Sequence, residues 1–476
     1  MDQSRTPLFD RLIQHVEGKP ISFHVPGHKN GTIFPGKGQR YYRDILKLDA
    51  TELTGLDDLH SAEGVIQEAE NLLSDLYRTE RSFFLINGST VGNLAMILSA
   101  VKEDDSVLVQ RNSHKSIMNG LKLAKAQPVF LSPEYDQDAK TAGGIRWETV
   151  RNAISQHPDA KALILTYPNY YGMTYELKSI IELAHRHRIP VLVDEAHGVH
   201  FIAGKAFPES AVRLGADVVV QSAHKTLPAM TMGAYLHCQG SLLPFDNLQF
   251  YLQALQSSSP SYPLMASLDL ARSYLGTYRQ EDMDNLLETI GKFLGMITKL
   301  KGIRLIKQAD PLKIVLQATG AWTGYELQHA LESEGIFTEL ADPYNVLLVL
   351  PLLKKGMPHH LQEAAGKIAK VSDMIPVGQA NSGFSFHKKA ISSLAVSYRV
   401  MDSLETEEVR LDESIGRICA ADLIPYPPGI PLCLRGERLS SEDIGTISYL
   451  QGAGAKIQGG ESLQAGKIKV FKSWRM

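Results

Sequence analysis

Short apolar runs alternate with segments of helical periodicity along the first half of the chain. Val65, Ala69, Leu72 and Leu76 recur on one face of a helix. Apolar runs of the length expected for buried strands follow, separated by helix-like segments, at 83–86, 107–109, 129–131, 163–165, 191–193 and 218–220. This alternation predicts an α/β fold with a mainly parallel sheet covered by helices on both faces.

The pattern changes after about Leu275, where helical stretches surround isolated strand-like runs at 313–317 and 345–350. This change indicates a second, smaller α+β domain. Residues 424–431 are rich in proline, and their composition alone favours a rigid surface connector. We therefore predict an N-terminal arm over 1–35, a large domain over 36–280 and a small C-terminal domain over 281–476.

The composition is ordinary for a soluble globular protein, with 476 residues, 44% hydrophobic and 21% charged positions, and a net charge of −3. We therefore expect no nucleic-acid partner and no anionic membrane. The three cysteines show no Cys-x-x-Cys spacing, and the first residues lack the apolar core of a signal peptide. The longest apolar run, 346–353, is too short to span a bilayer. These features predict a cytoplasmic location.

Lys225 ends a strand-like run that begins at Asp217. A lysine amine forms Schiff bases with aldehydes when its surroundings lower its pKa. His-Lys pairs occur four times in the chain, so the dipeptide carries no signal by itself. The strand end, with Ser222 and His224 beside the lysine, distinguishes this pair. An ordinary surface lysine after a strand is the alternative.

Asp194 ends another apolar run, 31 positions before Lys225 (225 − 194). A carboxylate there can keep a pyridine nitrogen protonated, so that the ring accepts electron density. A helix cap is the alternative use of such an aspartate. Because the carboxyl ends of parallel strands meet at one edge of a sheet, we expect the two residues to converge.

The sequence Gly88-Ser89-Thr90 opens a helix. Backbone N–H groups and hydroxyls at a helix start suit a phosphate dianion, although a simple Ser/Thr cap explains the same residues. An amine, a carboxylate and a phosphate-binding helix start are the groups that hold pyridoxal 5'-phosphate, which we predict as the cofactor.

His114 stands at the start of the next helix, where an imidazole can stack on a cofactor ring or act as an ordinary helix-start residue. His197 and His200 follow Asp194, but no further ligand pattern supports a metal site, and we predict none.

Residues 31–38 nearly spell a phosphate-binding P-loop, which would make 194–197 a magnesium-binding partner. Gly38 stands where a Ser or Thr hydroxyl must reach the magnesium ion. In addition, residues 23–28 do not form a clean strand pattern, and no clear helix pattern follows the loop. The P-loop interpretation is therefore disfavoured.

The whole set resembles the fold-type-I pyridoxal-phosphate enzymes and, more narrowly, the ornithine/lysine/arginine decarboxylase family. The matching phrases run from near the start to near the end of the chain, at 23–29, 55–60, 111–116, 193–198, 221–225, 257–263 and 426–431. The chain is shorter than the large inducible members, so we expect their N-terminal wing domain to be absent.

The resemblance implies a role for each candidate. Lys225 bonds to the cofactor aldehyde, Asp194 pairs with the pyridinium nitrogen, and His114 stacks on the ring, which makes these three the predicted catalytic residues. His197 lies close to the cofactor. The residues implied in holding the phosphate are Ser89, Thr90, Ser222 and His224.

The resemblance also implies an assembly and a substrate entrance. The segment around Ser258 is expected to reach the cofactor of a neighbouring subunit, which predicts a homodimer with shared active sites and allows higher oligomers. The proline-rich tail becomes a candidate wall of the substrate entrance.

The implied reaction is decarboxylation of a basic amino acid, arginine first and then lysine or ornithine, to agmatine or a diamine and CO₂. An aminotransferase uses the same lysine and aspartate, and a non-catalytic cofactor-binding regulator is a third hypothesis. A cationic substrate side chain needs an acidic partner. The candidates in or near the matching phrases are Glu52, Asp57, Asp58 and Glu437. In the loop 166–172, Tyr167 and Asn169 stand where many relatives have Asn and Thr, so the family's substrate contacts in this loop are not carried over.

Overall fold

The computed structural model describes residues 1–376, 378, 389–425 and 429–472. The first three residues of the tail phrase 426–431, and the His-Lys pair at 387–388, lie outside the described residues.

The helices and strands follow one another in the alternation that the sequence predicts. The helices are α1 Pro7–Glu17, α2 Gly36–Tyr42, α3 Ile45–Leu48, α4 Val65–Tyr77, α5 Gly88–Ala100, α6 Lys115–Leu123, α7 Trp147–Gln156, α8 Leu177–Arg186, α9 Ala223–Thr226, α10 Phe245–Leu255, α11 Tyr262–Gly276, α12 Gln280–Ile297, α13 Gly324–Ser333, α14 Leu361–Met374, α15 Tyr398–Met401 and α16 Ser441–Gly452. The strands are β1 Arg81–Leu85, β2 Ser106–Gln110, β3 Gln127–Leu131, β4 Tyr135–Asp136, β5 Thr141–Ala142, β6 Leu163–Thr166, β7 Val191–Asp194, β8 Val218–Gln221, β9 Ala234–Cys238, β10 Ile303–Ile306, β11 Lys313–Ala318, β12 Leu340–Ala341, β13 Asn345–Val349, β14 Ile391–Ser393, β15 Thr406–Arg410, β16 Ile424–Pro425, β17 Ile457–Gln458 and β18 Lys467–Phe471.

The chain divides into two compact units, each built from several segments. Unit 1 comprises Met1–Ser99, Leu192–Lys205 and Glu209–Gln280, and unit 2 comprises Ala100–Val191, Ala206–Pro208 and Glu281–Met476. The segment boundaries that we predict at 35/36 and 280/281 stay predictions.

Unit 1 contains strands in the order β1-β9-β8-β7. β7 and β8 are parallel, with Asp194 opposite Val220, whereas β9 is antiparallel to both β8 and β1. Every residue of β7 and β8 is buried, which explains their continuous apolar runs. Helix α5 packs closely on this layer, because a Cβ atom on Gly92 would lie 2.7 Å from Leu85 Cδ1.

Unit 2 contains strands in the order β6-β2-β3-β14, with β2 parallel to both β6 and β3. A separate antiparallel sheet, β10-β11-β13-β12, forms the smaller α+β part, and β15 pairs with β18 near the C-terminus. Parallel strands alternating with helices, together with this smaller part, confirm the predicted fold class.

The disfavoured P-loop differs from expectation in one respect. A seven-residue helix, α2, does begin at Gly36, although no helix was expected there. Residues 23–28 form no strand, as expected. In the described part of the chain, no helix is long and apolar enough to cross a membrane.

Candidate active site

The parallel ladder of β7 and β8 brings Asp194 and the end of β8, which Ser222 and Lys225 follow, to one edge of unit 1. Asp194 is the last residue of β7 and is only 3% exposed. Its Oδ2 accepts a hydrogen bond from Asn93 Nδ2 at 2.9 Å, and its Oδ1 accepts one from the Ala196 backbone N–H at 3.1 Å. Helix α5 and the turn that follows β7 therefore fix the two carboxylate oxygens of Asp194.

Lys225 lies on the short helix α9, which begins directly after the end of β8. Its Nζ atom is 2.9 Å from Nε2 of His197, which is buried in the turn after β7. The structure therefore brings the predicted amine and the predicted neighbouring imidazole into direct contact. An imidazole at this distance can exchange a proton with the amine.

The start of helix α5 provides the third predicted feature. Gly88 has a φ of +76°, a conformation that favours glycine, and no acidic residue lies in the first helical turn. The Ser222 hydroxyl donates to the Ser89 hydroxyl at 2.8 Å, which ties the end of β8 to this helix start. Exposed Thr90 completes the turn. Backbone N–H groups and hydroxyls together suit a phosphate.

Two further candidates of unit 1 have more ordinary surroundings. His224 lies next to Lys225, and its Nδ1 is 3.0 Å from the Gly233 carbonyl oxygen. Ser258 is exposed in the loop after α10. Its role towards a neighbouring subunit stays a prediction.

His114 belongs to unit 2 and is the N-cap of helix α6. Its Nδ1 accepts a hydrogen bond from the Ser116 backbone N–H at 3.2 Å and lies 2.8 Å from the Ser116 hydroxyl. The capping role that we considered in the sequence is therefore present, and stacking on the cofactor stays a prediction.

Sequence reasoning missed Glu195, which directly follows Asp194 and is completely buried. Its carboxylate accepts hydrogen bonds from the Ser210 hydroxyl and the Ala211 backbone N–H, both at 2.7 Å, and from Gln221 Nε2 at 2.5 Å. Burial raises the pKa of this carboxyl to about 8. The only available signal was an acidic residue directly beside a predicted site residue.

Glu437, a candidate for contact with the substrate, instead pairs with buried Arg111. Arg111 donates through Nε and Nη2 to the two carboxylate oxygens at 3.0 and 2.8 Å. The same guanidinium donates to the carbonyl oxygens of Pro431 and Leu432 at 2.7 and 3.1 Å. We call this set of contacts the tail clamp, because it fastens the end of the proline-rich tail within unit 2.

Asp57, another such candidate, caps the start of helix α4. Its carboxylate accepts hydrogen bonds from the backbone N–H groups of Glu63, Gly64 and Ile66 at 2.8–3.0 Å. Burial alone would raise the pKa of the Asp57 carboxyl, but hydrogen bonds from backbone N–H groups, those of Glu63 and Gly64 among them, outweigh burial and lower that pKa. Asp58 accepts the His60 backbone N–H at 2.9 Å, and Glu52 is exposed.

The tail also lines a cavity of about 250 Å³ in unit 2. Pro425, Ile430 and Pro431 form one part of its wall, and Tyr344 and Tyr449 lie among its other lining residues. This placement fits a tail that shapes a small-molecule space, in contrast to the surface connector that composition alone favours.

The residues of the metal interpretation are Asp194, His197 and His200. His200 Nδ1 is 3.1 Å from the Thr226 hydroxyl. Among the described residues, no group of three or more His, Cys, Asp or Glu side chains is arranged to hold a metal ion. Lys225, Asp194 and the α5 start provide an amine, a carboxylate and a helix start that suits a phosphate within unit 1, and this donor set fits pyridoxal phosphate.

Comparisons with known proteins agree with this donor set. The family model "Orn/Lys/Arg decarboxylase, major domain" matches residues 6–322, and the corresponding C-terminal domain model matches residues 380–458. The chain is 44% identical to the uncharacterized protein YaaO of Bacillus subtilis over 98% of each chain. It is 34% identical to the arginine decarboxylase of Bacillus subtilis over 99% of each chain.

A solved structure shows the same fold. The constitutive lysine decarboxylase of Escherichia coli matches with a TM-score of 0.81 and 19% identity, covering 99% of this chain and 82% of that one.

Proposed function

Because this chain belongs to the Orn/Lys/Arg decarboxylase family, we propose that it removes the α-carboxyl group of arginine to give agmatine and CO₂. The family resemblance recognised in the sequence is confirmed, and with it an amino-acid decarboxylase that uses pyridoxal phosphate and acts on a basic substrate. The choice of arginine over lysine and ornithine is the finer step. The observation that carries it is the 34% identity with an arginine decarboxylase over nearly all of both chains.

We assign the roles in unit 1 from the geometry of the two strand ends. Bound pyridoxal phosphate supplies an electron sink for the electron pair that CO₂ leaves behind. Asp194, held by Asn93 and Ala196, pairs with the ring nitrogen. Lys225 would hold the cofactor through its aldehyde group. His197 Nε2 lies 2.9 Å from Lys225 Nζ. It accepts the proton that the Lys225 amine must lose before this amine becomes a nucleophile.

The remaining assignments follow the same pattern. Ser89, Thr90, Ser222 and His224 would bind the phosphate, and His114 would stack on the ring. Both carboxylate oxygens of Asp57 and of Glu437 already accept hydrogen bonds. Asp58 accepts the His60 backbone N–H through one oxygen and Glu52 is exposed, so we favour these two for the substrate's cationic end. We further propose a cytoplasmic homodimer in which Ser258 contributes to the partner's site.

The experiment is a panel of arginine, lysine and ornithine, with added cofactor, scored by mass spectrometry for amine product and by CO₂ release. We expect agmatine and CO₂ in equal amounts from arginine and no product from Lys225→Ala. Lys205→Ala is the matched control, because Lys205 is an exposed lysine of unit 1 and should retain full activity.

Three outcomes would contradict this function. A keto acid formed from the amino donor would indicate an aminotransferase. A cofactor-loaded protein that converts none of the three amino acids would indicate a regulator. Cadaverine as the main product would indicate lysine as the substrate, and putrescine would indicate ornithine.

A further inference from the structure

Glu195 occupies a place in unit 1 that the proposed reaction does not use. It continues the parallel ladder one residue beyond β7, since its backbone N–H donates to the Val220 carbonyl oxygen at 2.8 Å. Successive side chains along a strand point to opposite faces. Glu195 therefore points to the face of the sheet opposite to that of Asp194. Asp194 contacts helix α5, whereas Glu195 contacts Ser210 and Gln221.

The same alternation holds at the end of β8. Gln221 is the last residue of β8 and precedes Ser222, the residue whose hydroxyl donates to Ser89. Gln221 Nε2 donates to Glu195 at 2.5 Å, so one side-chain hydrogen bond joins the ends of the two strands that carry Asp194 and Ser222. This bond connects the two strand ends directly beneath the two predicted cofactor ligands.

The connection continues through buried groups into the neighbouring strands. Gln221 Oε1 lies 3.1 Å from His237 Nε2 on β9, and His237 Nδ1 lies 2.8 Å from the Ser82 hydroxyl on β1. Glu195 and Gln221 are fully buried, and His237 is only 1% exposed. The hydrogen-bonded chain therefore crosses all four strands of unit 1 in a water-excluded layer.

The turn after β7 is shaped around this carboxyl group. A Cβ atom on Gly198 would lie 2.7 Å from Glu195 Cγ, so a larger residue there would displace the carboxyl from its donors. His197, which contacts Lys225, directly precedes Gly198 in this turn.

We propose that Glu195 is a positioning residue that sets the spacing between Asp194 and Ser222 by locking the ends of β7 and β8 through Gln221. This inference rests on the proposed function, because it requires the cofactor to lie between these strand ends. A buried hydrogen-bond network of this kind holds neighbouring groups in a productive geometry, and small misplacements there reduce function strongly.

The alternative is that Glu195 contributes to stability alone. Glu70 provides a matched comparison, because its carboxylate also accepts a backbone N–H, that of Phe84 at 2.8 Å, and burial also raises its pKa to about 8. Glu70 lies on α4 against β1 and makes no hydrogen bond to the ends of β7 and β8 among those described.

The test compares purified holoenzymes of wild type, Glu195→Gln, Glu70→Gln and the exchanged pair Glu195→Gln with Gln221→Glu. The measurements are made above pH 8, where the Glu195 carboxyl is ionised and only accepts hydrogen bonds. The single change then places the amide NH₂ groups of residues 195 and 221 opposite each other, whereas the exchanged pair restores one donor facing one acceptor. The measurements are the rate of cofactor loss on dilution, followed by visible absorbance, together with kcat, KM and the free energy of unfolding.

We expect Glu195→Gln to lose cofactor about ten-fold faster, with a fall in kcat that exceeds any rise in KM. The exchanged pair should recover most of that loss, and Glu70→Gln should release cofactor at the wild-type rate even where it is less stable. Ser210→Ala, which removes one donor to Glu195, should shift the rate in the same direction by about two-fold and decides the question if Glu195→Gln does not fold.

Two results would overturn the inference: equal cofactor loss in Glu195→Gln and Glu70→Gln, or no recovery in the exchanged pair. Failure of the proposed site is separate, because it would show in the wild type as cofactor attached to a residue other than Lys225.

Discussion

Glu195 in unit 1 and Glu437 in unit 2 are both buried glutamates, but their partners differ in charge. Glu195 accepts from a hydroxyl, a backbone N–H and a side-chain amide. Glu437 accepts two hydrogen bonds from the guanidinium of Arg111, three residues before His114. Burial raises the pKa of the Glu195 carboxyl to about 8, since no cation contributes to holding its charge.

The pair in unit 2 behaves in the opposite way. Burial alone would lower the pKa of the Arg111 guanidinium, but the Glu437 carboxylate beside it raises that pKa above its ordinary value. The comparison indicates two kinds of support for a site. In unit 1, neutral hydrogen-bond donors hold the strand ends, and the raised pKa of the carboxyl they surround makes stability depend on pH. In unit 2, a buried ion pair fastens a segment that lies far along the chain, and removing either partner leaves the other charge buried and unpaired.

Breaking the ion pair is expected to have the largest effect. Arg111→Met leaves the Glu437 carboxylate buried without its cation and should cost about 3–5 kcal/mol of unfolding free energy in urea. The control is Arg304→Ala, which removes an exposed ion pair of unit 2 with Asp138 and should cost about 0–1 kcal/mol. Equal losses in the two variants would show that the tail clamp contributes no more than a surface contact.

The network in unit 1 predicts a pH dependence of stability. The folded protein holds the Glu195 proton up to about pH 8, whereas the unfolded chain loses it near the ordinary value of 4.5. Between these values the folded state binds more protons, so stability falls as the pH rises. For one such group the slope approaches about 1.4 kcal/mol per pH unit.

Urea unfolding of cofactor-saturated protein at several pH values measures this slope. Glu195→Gln should reduce it, and Glu70→Gln should reduce it by a similar amount, because burial also raises the pKa of Glu70 to about 8. An unchanged slope in Glu195→Gln would mean that this carboxyl does not titrate over the range.

A third carboxylate, that of Asp57, has neither a cation nor side-chain donors among its described partners, and it accepts hydrogen bonds from backbone N–H groups. Asp57→Ala should lower stability by about 1–2 kcal/mol through loss of the cap on α4. It should leave the KM for arginine unchanged. A marked rise in that KM with unchanged stability would return Asp57 to the substrate-binding candidates.

Much of the site could be predicted because its residues follow local patterns. Buried parallel strands are continuous apolar runs, so Asp194 and Ser222 stand out at strand ends, and a glycine before Ser and Thr indicates the start of α5. The convergence of Asp194 and the Lys225 region then follows from the parallel ladder alone.

The supporting residues could not be predicted, since their partners are far away in the chain. Glu195 meets Ser210 and Gln221 at separations of 15 and 26 positions, and Arg111 meets Glu437 at 326. No local pattern distinguishes a carboxylate that binds a substrate from one that such a contact already occupies. For the same reason, the sequence could not indicate that Asp57 caps helix α4 or that Glu437 pairs with Arg111.

In the proposed reaction, Lys225 carries the cofactor of this decarboxylase. Borohydride reduction of the holoenzyme, followed by proteolysis and mass spectrometry, locates the side chain that holds the pyridoxyl group. We predict the label on Lys225 and its absence from Lys225→Ala. A label on Lys29, Lys115 or any other lysine of the wild-type protein would contradict the assignment of Lys225.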